Sequence, residues 1–352
     1  MDNSYFAISI NRADCLFCFW RGKTKLTDIL ELKGISKSFG EKRVLDQVNL
    51  RVAEKSIFGF VGKNGSGKTT TMNVILGLLE ASGGEVFVCG EKVKYGETKT
   101  NRHIGYLPDV PAFYNYMTAM EYLRLCGEIT GLDKTKRIEK AEELLDLVGL
   151  KDEQGKMMTF SRGMKQRLGL AQALINEPKL LICDEPSSAL DPIGRKKIMD
   201  ILLSIKGKTT VLFSSHILND IERVCDRLAF LDKGCIQVQG DKEDLLSRDR
   251  NNKYLVQFSS QKDCDHFDDF LRSGKEKLSV EKDKTSLLIN FANKQVGGSY
   301  LLDSFNQTGL VPLKFEKLET SLEDLFEEVV GWSSFGYFLK RKLLKVFEPK
   351  SS

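Results

Sequence analysis

The stretch Gly62-Lys63-Asn64-Gly65-Ser66-Gly67-Lys68-Thr69 decides the fold of this 352-residue chain. Its closely spaced glycines let the backbone curl tightly and turn successive N–H groups toward one anion. The apolar run Ser56–Val61 before it predicts a buried strand. The residues Gly67–Leu79 after it predict a helix, whose positive N-terminal end also attracts an anion. The stretch therefore predicts a phosphate-binding loop in an α/β protein.

The same loop supplies the side chains that bound Mg-ATP needs. Lys68 is expected to reach the β- and γ-phosphates, and the Thr69 hydroxyl is expected to bind Mg²⁺. The other expected contacts to the nucleotide are Gly62, Asn64, Gly65, Ser66, Gly67 and Thr70. A glycine-rich turn without a ligand is the alternative. It is disfavoured because a strand precedes the loop and a helix follows it.

An acidic pair follows a second predicted buried strand, Lys179–Cys183. The strand places Asp184 at its exit, where a carboxylate can hold Mg²⁺. Glu185 comes next and is expected to take a proton from the attacking water. Taken alone, the pair would fit a solvated strand end equally well. Beside a phosphate-binding loop, the metal and base roles are favoured.

A second phosphate-binding surface is predicted at Phe160–Arg167. Ser161 fits the N-cap of an amphipathic helix, and Ser161 and Gly163 at a helix N-terminus can also bind phosphate. One chain does not need two such surfaces for one nucleotide, whereas two chains arranged head to tail do. Helical periodicity also predicts helices at Thr118–Thr130, Lys134–Val148 and Ser161–Asn176.

These motifs, in this order, resemble the ATP-binding subunit of an ABC transporter of the bacterial exporter type. The resemblance covers residues 28–240. It is carried by the phosphate loop, the signature Phe160–Arg167, the acidic pair, the D-loop Ser188-Ala189-Leu190-Asp191 and the switch residue in Ser215-His216. It implies a P-loop NTPase fold with a mainly parallel sheet, an antiparallel strand subdomain and a helical insert.

The resemblance also implies a mechanism. Two nucleotide-binding domains, as a homodimer or heterodimer, would enclose two ATP molecules between the phosphate loop of one and the signature of the other. Glu185 would polarise the water, His216 would contact the γ-phosphate, and Asp191 would communicate across the dimer. Phe39 resembles the aromatic residue that stacks on adenine.

Three residues, in two motifs, depart from the family pattern. Arg162 and Met164 replace a glycine and the glutamine of the usual signature. Asp109 stands where the family has Gln or Glu at the Q-loop. A carboxylate can still bind Mg²⁺ through water, although Asp109 has the shorter reach.

Composition narrows the choice of partner. The net charge is only +4, so no nucleic acid is expected as a partner. No apolar run approaches the length of a membrane-spanning helix. Together with this, the resemblance implies a peripheral protein on the cytoplasmic face of the membrane, beside a separate membrane-spanning permease. Reduced cysteines in apolar surroundings fit that compartment. The pair Cys15 and Cys18 lacks a second ligand pair, so a zinc site is not favoured.

Four regions are predicted along the chain. They are an N-terminal extension (1–27), the ATPase domain (28–240, with its helical insert at about 112–176), a small α+β accessory domain (241–331) and a basic amphipathic tail (332–352). The tail fits either a membrane surface or, as we favour, docking on its own domain. Aromatic residues in Phe113-Tyr114-Asn115-Tyr116 fit a groove for the permease and core packing equally well.

Two other functions remain open at this point. A soluble mechanical ATPase acting on ribosomes or DNA is disfavoured, because the chain has one such domain and no long coiled coil. A module that binds ATP without hydrolysing it is disfavoured by the presence of Lys68, Asp184, Glu185 and His216.

Overall fold

The protein's structure is a computed structural model that describes residues 28–97, 99–248, 252–274, 276–291, 297–318, 322, 323, 325 and 326. The extension 1–27 with Cys15 and Cys18, the tail 332–352 and most of the closing helix predicted at Ser321–Val330 lie outside these residues. The chain divides into two compact units between Gln239 and Gly240.

The described elements follow the predicted alternation of strands and helices. The strands are β1 (Asp28–Phe39), β2 (Lys42–Ala53), β3 (Ile57–Val61), β4 (Gly83–Val88), β5 (Glu91–Lys92), β6 (Ile104–Leu107), β7 (Leu180–Asp184), β8 (Thr210–Ser215), β9 (Arg227–Asp232), β10 (Cys235–Asp241), β11 (Asn252–Gln257), β12 (Leu278–Asp283), β13 (Ser286–Phe291) and β14 (Lys314–Lys317). The helices are α1 (Lys68–Ile75), α2 (Ala119–Ile129), α3 (Lys134–Leu147), α4 (Arg162–Leu174), α5 (Pro192–Ser204), α6 (Leu218–Val224), α7 (Lys242–Arg248), α8 (Gln261–Ser273) and α9 (Gly297–Thr308).

A six-stranded sheet organises the first unit, in the order β10-β9-β3-β8-β7-β6. Strand β3 pairs in parallel with β8 and β9, and β7 pairs in parallel with β6 and β8. Every residue of β3, β7 and β8 is buried, as expected for strands covered on both faces. The carboxyl ends of these strands meet at one edge, and the functional loops leave from that edge. The predicted mainly parallel sheet is confirmed.

A second, antiparallel sheet in this unit has the order β2-β1-β4-β5. Strand β1 pairs with β2 and with β4, and Leu32 lies opposite both Leu50 and Val86. These apolar side chains pack with the residues of β3 and α1 in one core cluster. The antiparallel strand subdomain of the predicted fold is therefore present.

The helical insert contains α2, α3 and α4, and each begins at a polar N-cap. Thr118 accepts from the backbone N–H of Glu121, whose carboxylate accepts in turn from Thr118 N–H, so α2 has a capping box. Asp133 caps α3 and Ser161 caps α4. The ends of all three helices lie within two residues of those that helical periodicity predicts.

Helix α4 lies directly against β6. A methyl group at Gly105 would collide with the carbonyl oxygen of Ala173. A methyl group at Gly169 would lie 2.5 Å from Cδ1 of Leu107. Glycine at both positions therefore lets the strand and the helix approach more closely than any other residue would allow.

The second unit contains an antiparallel sheet in the order β12-β13-β11-β14. Its apolar side chains pack with those of α8 and α9, including Phe258, Phe267 and Leu301. The sequence predicts strands at Tyr254–Ser259, Ser286–Phe291 and Val311–Lys317. The structure has them as β11, β13 and β14, with β13 at the predicted ends and the other two shifted. Strand β12 and helix α7 were not predicted. Among the residues that the structure describes, no helix is long and apolar enough to cross a membrane.

Candidate functional site

The predicted phosphate loop connects β3 to α1 at the carboxyl edge of the parallel sheet. Gly67, with φ of 111°, is the N-cap of α1 and adopts a conformation that favours glycine. A methyl group at Gly62 would meet the carbonyl oxygen of Leu231 at 2.5 Å. Asn64, Gly65 and Thr69 are exposed, Thr70 is half-buried and Ser66 is buried. The loop therefore presents backbone N–H groups and one helix N-terminus to solvent.

Lys68 folds back over this loop. Its Nζ donates to the carbonyl oxygens of Gly62 at 2.7 Å and Lys63 at 3.2 Å. The same Nζ lies 3.2 Å from Oε1 of Glu185. The Lys68 side chain is 6% exposed, so its charge sits where little water competes for it.

The Thr69 hydroxyl and the Asp184 carboxylate lie next to each other. The Thr69 hydroxyl donates to Oδ2 of Asp184 at 2.7 Å. The Ser214 hydroxyl donates to Oδ1 of the same carboxylate, also at 2.7 Å. Asp184 is 2% exposed, so these bonds fix the orientation of its carboxylate. Ser214, at the end of β8, was missed by the sequence reasoning, although it stands two residues before the predicted His216.

Glu185 and His216 lie side by side across the ends of β7 and β8. Oε2 of Glu185 is 2.7 Å from Nδ1 of His216. Glu185 N–H donates to the Ser214 hydroxyl at 2.9 Å, and its φ of 48° is unusual for a residue other than glycine. A carboxylate held in place by an imidazole and by the Lys68 ammonium is suited to orient a water molecule.

The chemistry of these groups fits Mg-ATP. The hydroxyl of Ser66 is buried without a hydrogen-bond partner, so it is available to a phosphate oxygen. Thr69 and Asp184 are hard oxygen ligands of the kind Mg²⁺ prefers. No group of three His, Cys, Asp or Glu side chains among the described residues could hold a metal ion.

The signature and the D-loop form a separate surface pocket of about 350 Å³. Ser161 accepts from Met164 N–H at 3.2 Å, and Asp191 caps α5 by accepting from Gly194 N–H at 3.2 Å. Ser161, Gly163 and Asp191 all line the pocket. Its lining contains none of the residues Gly62–Thr69, so the structure does not bring the two predicted phosphate surfaces into one pocket of the chain.

Asp109 contacts the signature helix. The Gln166 amide donates to the carbonyl oxygen of Asp109 at 2.6 Å, and the Arg162 guanidinium lies 3.9 Å from Oδ1 of Asp109. Two of the residues that depart from the family pattern, Asp109 and Arg162, are thus neighbours. Tyr106 lies on β6 nearby; burial raises the pKa of its phenol to about 12, and the charge of Asp184 adds to that shift.

The predicted aromatic contacts are divided between surface and interior. Phe39, at the end of β1, is 51% exposed, and the Lys37 ammonium lies 5.1 Å from its ring centroid. Phe113 packs edge-on against Tyr122 with ring centroids 5.2 Å apart. Tyr114 and Tyr116 are exposed. The stretch therefore combines packing of the insert with two rings that remain on the surface.

Asp220 is a second residue that the sequence did not reveal. It is 5% exposed in α6, and the Ser187 hydroxyl donates to its Oδ2 at 2.6 Å. Burial raises the pKa of Asp220, while Ser187 and Arg195 oppose that shift. Nothing in the spacing of residues 217–225 distinguishes this acid from an ordinary exposed one.

Comparison with known proteins places these observations in a family. Residues 45–188 match the family model for ABC transporters. The chain is 37% identical over 315 residues to the ABC transporter ATP-binding protein YxlF of Bacillus subtilis, which covers 86% of this chain and 99% of that protein. It is 34% identical over 320 residues to the bacitracin transport ATP-binding protein BcrA of Bacillus licheniformis, covering 88% and 100%.

Solved structures agree with the first unit. An ATP-binding subunit of an ABC transporter is 31% identical with a TM-score of 0.57, covering 62% of this chain and 92% of that one. The ATP-binding cassette MJ0796, a dimer in a post-hydrolysis state with ADP and Pi, is 28% identical with a TM-score of 0.55. It covers 60% of this chain and 98% of that one.

Proposed function

Because the chain belongs to the family of ABC transporter ATP-binding proteins, we propose that it hydrolyses Mg-ATP to drive export through a separate membrane-spanning subunit. The observation that carries the proposal is one connected set of contacts at the carboxyl edge of the parallel sheet. Lys68 contacts Glu185, Glu185 contacts His216, and Asp184 contacts Thr69. This set combines an anion clamp, a metal site and a base.

Each of these residues has a distinct role in hydrolysis. Lys68 and the loop N–H groups neutralise the β- and γ-phosphates, and this neutralisation matters most as charge develops in the transition state. Thr69 and Asp184 would hold Mg²⁺, which would supply positive charge beside the phosphates. Glu185 accepts the proton of the attacking water. His216 orients Glu185 and contacts the γ-phosphate.

The second half of each nucleotide site comes from a sister molecule. Ser161 and Gly163 supply phosphate contacts at the N-terminus of α4, and Asp191 lies beside them in the same pocket. The dimeric state of the cassette MJ0796 with ADP and Pi supports this arrangement. Phe39, exposed at the end of β1, stacks on adenine.

A permease chain completes the transporter on the cytoplasmic face of the membrane. The exposed rings of Tyr114 and Tyr116 are its proposed contact on this subunit. Two relatives, from Bacillus licheniformis and Enterococcus faecalis, are named as bacitracin transport ATP-binding proteins. Those names support transport of bacitracin or a similar molecule as the process that this subunit serves.

An ATPase assay on the purified full-length chain tests the reaction. We expect Glu185→Gln to lower turnover at least about 100-fold, because the amide cannot accept the proton. Binding of a fluorescent ATP analogue should remain, since Glu185 is not a phosphate ligand. The control is Glu142→Gln, which makes the same charge change at an exposed position on α3. Equal turnover of wild type and Glu185→Gln would exclude Glu185 as the base.

Affinity capture from detergent-solubilised membranes tests the partner. We expect the tagged chain to recover a multispanning protein in stoichiometric amount. Recovery of ribosomes or DNA-bound proteins instead would favour the soluble mechanical ATPase. Non-specific recovery of ribosomes or DNA should be low, because the net charge of +4 gives the chain little attraction for nucleic acid.

A further inference from the structure

Two side-chain contacts join the same pair of segments near the proposed base. The first is Glu185 with His216, 2.7 Å apart. The second is the hydrogen bond from Ser187 to Asp220, 2.6 Å long. Ser187 lies two residues after Glu185, and Asp220 lies four residues after His216. The two contacts and the short stretches of chain between them therefore close a small ring.

The two contacts differ in exposure to water. The His216 side chain is 42% exposed. By contrast, Ser187 is 0% exposed and Asp220 is 5% exposed. A hydrogen bond between a hydroxyl and a buried carboxylate is expensive to break, because the carboxylate would lose its compensation without gaining water. The contact between Ser187 and Asp220 is thus better protected from water than the contact between Glu185 and His216.

The chain between the contacts has little slack. Ser188 N–H donates to the carbonyl oxygen of Glu185 at 3.0 Å, which makes a tight turn around Ser187. On the other side, Ile217 N–H donates to the Ser215 hydroxyl at 2.9 Å, and Asp220 N–H donates to the Ile217 carbonyl at 3.1 Å. Through these two stretches, the hydrogen bond between Ser187 and Asp220 restricts where Glu185 and His216 can lie.

Glu185 needs such support. Its φ of 48° lies in the left-handed region that residues other than glycine rarely adopt. Such a conformation persists only where neighbouring contacts hold it. The backbone N–H of Glu185 donates to the Ser214 hydroxyl. The turn that follows Glu185 is anchored by the hydrogen bond from the Ser187 hydroxyl to Asp220.

We propose that Ser187 and Asp220 are positioning residues for hydrolysis, whose buried hydrogen bond holds the Glu185 carboxylate against His216 and in line with the attacking water. The inference rests on the proposed function, since it needs Glu185 to be the base. The arrangement also reaches α5, because the Arg195 guanidinium lies 3.8 Å from Asp220.

Single and double variants of the full-length chain test the proposal. Ser187→Ala removes only a hydroxyl, and Asp220→Asn keeps the size of the side chain. Each should lower kcat about tenfold, as small misplacements of a base do. KM for ATP and the affinity for a fluorescent ATP analogue should stay within about twofold. The double variant should be no slower than either single one, because both remove the same bond.

Two controls separate positioning from general destabilisation. Asp200→Asn breaks the exposed ion pair with Arg223, 2.7 Å long, which also joins α5 to α6, and it should leave kcat unchanged. In the Glu185→Gln background, Ser187→Ala should cause no further loss, since there is no base left to position. Thermal unfolding of every variant confirms that the protein is folded.

The outcomes are distinguishable. Wild-type kcat in both Ser187→Ala and Asp220→Asn overturns the positioning role while the proposed function stands. A further loss in the Glu185→Gln background, or a parallel rise of KM, also overturns it, because the bond would then act elsewhere. If wild type itself fails to hydrolyse ATP, the proposed function fails first, and the inference fails with it.

Discussion

The two phosphate-binding surfaces of this chain differ in how far the chain itself satisfies them. At the phosphate loop, Lys68 and Asp184 are almost fully buried, and each has several partners within the same unit. At the signature, Ser161 and Asp191 are exposed, and each caps only its own helix. The first surface is thus completed within the chain, whereas the second is left exposed, as the proposed contact with a sister molecule requires.

The largest effect is expected from removing the positive charge of Lys68 at the phosphate loop. Lys68→Ala should weaken ATP affinity about 100-fold, since a charge-assisted hydrogen bond contributes about 1.5–3 kcal/mol. Hydrolysis should fall further, because phosphate charge grows in the transition state. Nucleotide titration and an ATPase assay measure both effects. Lys196→Ala, on the exposed side of α5, is the control; unchanged ATP affinity in Lys68→Ala would contradict the assignment.

A smaller effect is expected at the second surface. Ser161→Ala should lower turnover about tenfold, the value of one hydrogen bond to phosphate. ATP affinity of the monomer should be unchanged, because Ser161 acts on the nucleotide of the sister molecule. Since the substitution also removes a helix N-cap, Asp133→Ala is the matched control: it uncaps α3 away from the pocket. Equal losses in the two variants would show that capping alone explains the effect.

The smallest effect concerns the insert that carries the second surface. Thr118→Ala removes the capping box of α2 and should lower the free energy of unfolding by about 1 kcal/mol. Urea denaturation measures this change. ATP affinity should not move, because the phosphate loop lies outside the insert. A change in ATP affinity comparable to that in Lys68→Ala would show that the two surfaces are not independently built.

The phosphate-loop side of the site could be predicted because its chemistry is local in sequence. Glycines, Lys68 and Thr69 stand together, and Asp184 and Glu185 directly follow an apolar strand. The starts of the helices in the insert were predictable for a similar reason, because an N-cap side chain and the backbone N–H that it binds lie within four residues of each other. Membership in the ABC transporter family, expected from the order of motifs, is confirmed by the relatives of this chain.

Features that depend on the meeting of distant segments were not predictable. In the sequence, nothing distinguishes Asp220 from the other polar residues on a short helix. Its partner Ser187 is distant in sequence and comes close only in the folded structure. Alternating strands do not reveal which sheet they join, so β4 and β6 look alike, yet one lies in the antiparallel sheet and the other in the parallel one. Strand β12 was missed because an edge strand that is mostly exposed carries little apolar signal.

The close approach of β6 and α4 has a mechanical consequence. Because Gly105 has no side chain, the backbone of β6 lies against the backbone of α4 at Ala173. Because Gly169 has none, the Leu107 side chain lies against the backbone of α4. No layer of side chains separates the two elements at these positions. The bond from Gln166 to Asp109 adds a further tie. A displacement of the residues after β6 would therefore be passed on to α4, because tightly packed elements transmit strain to one another.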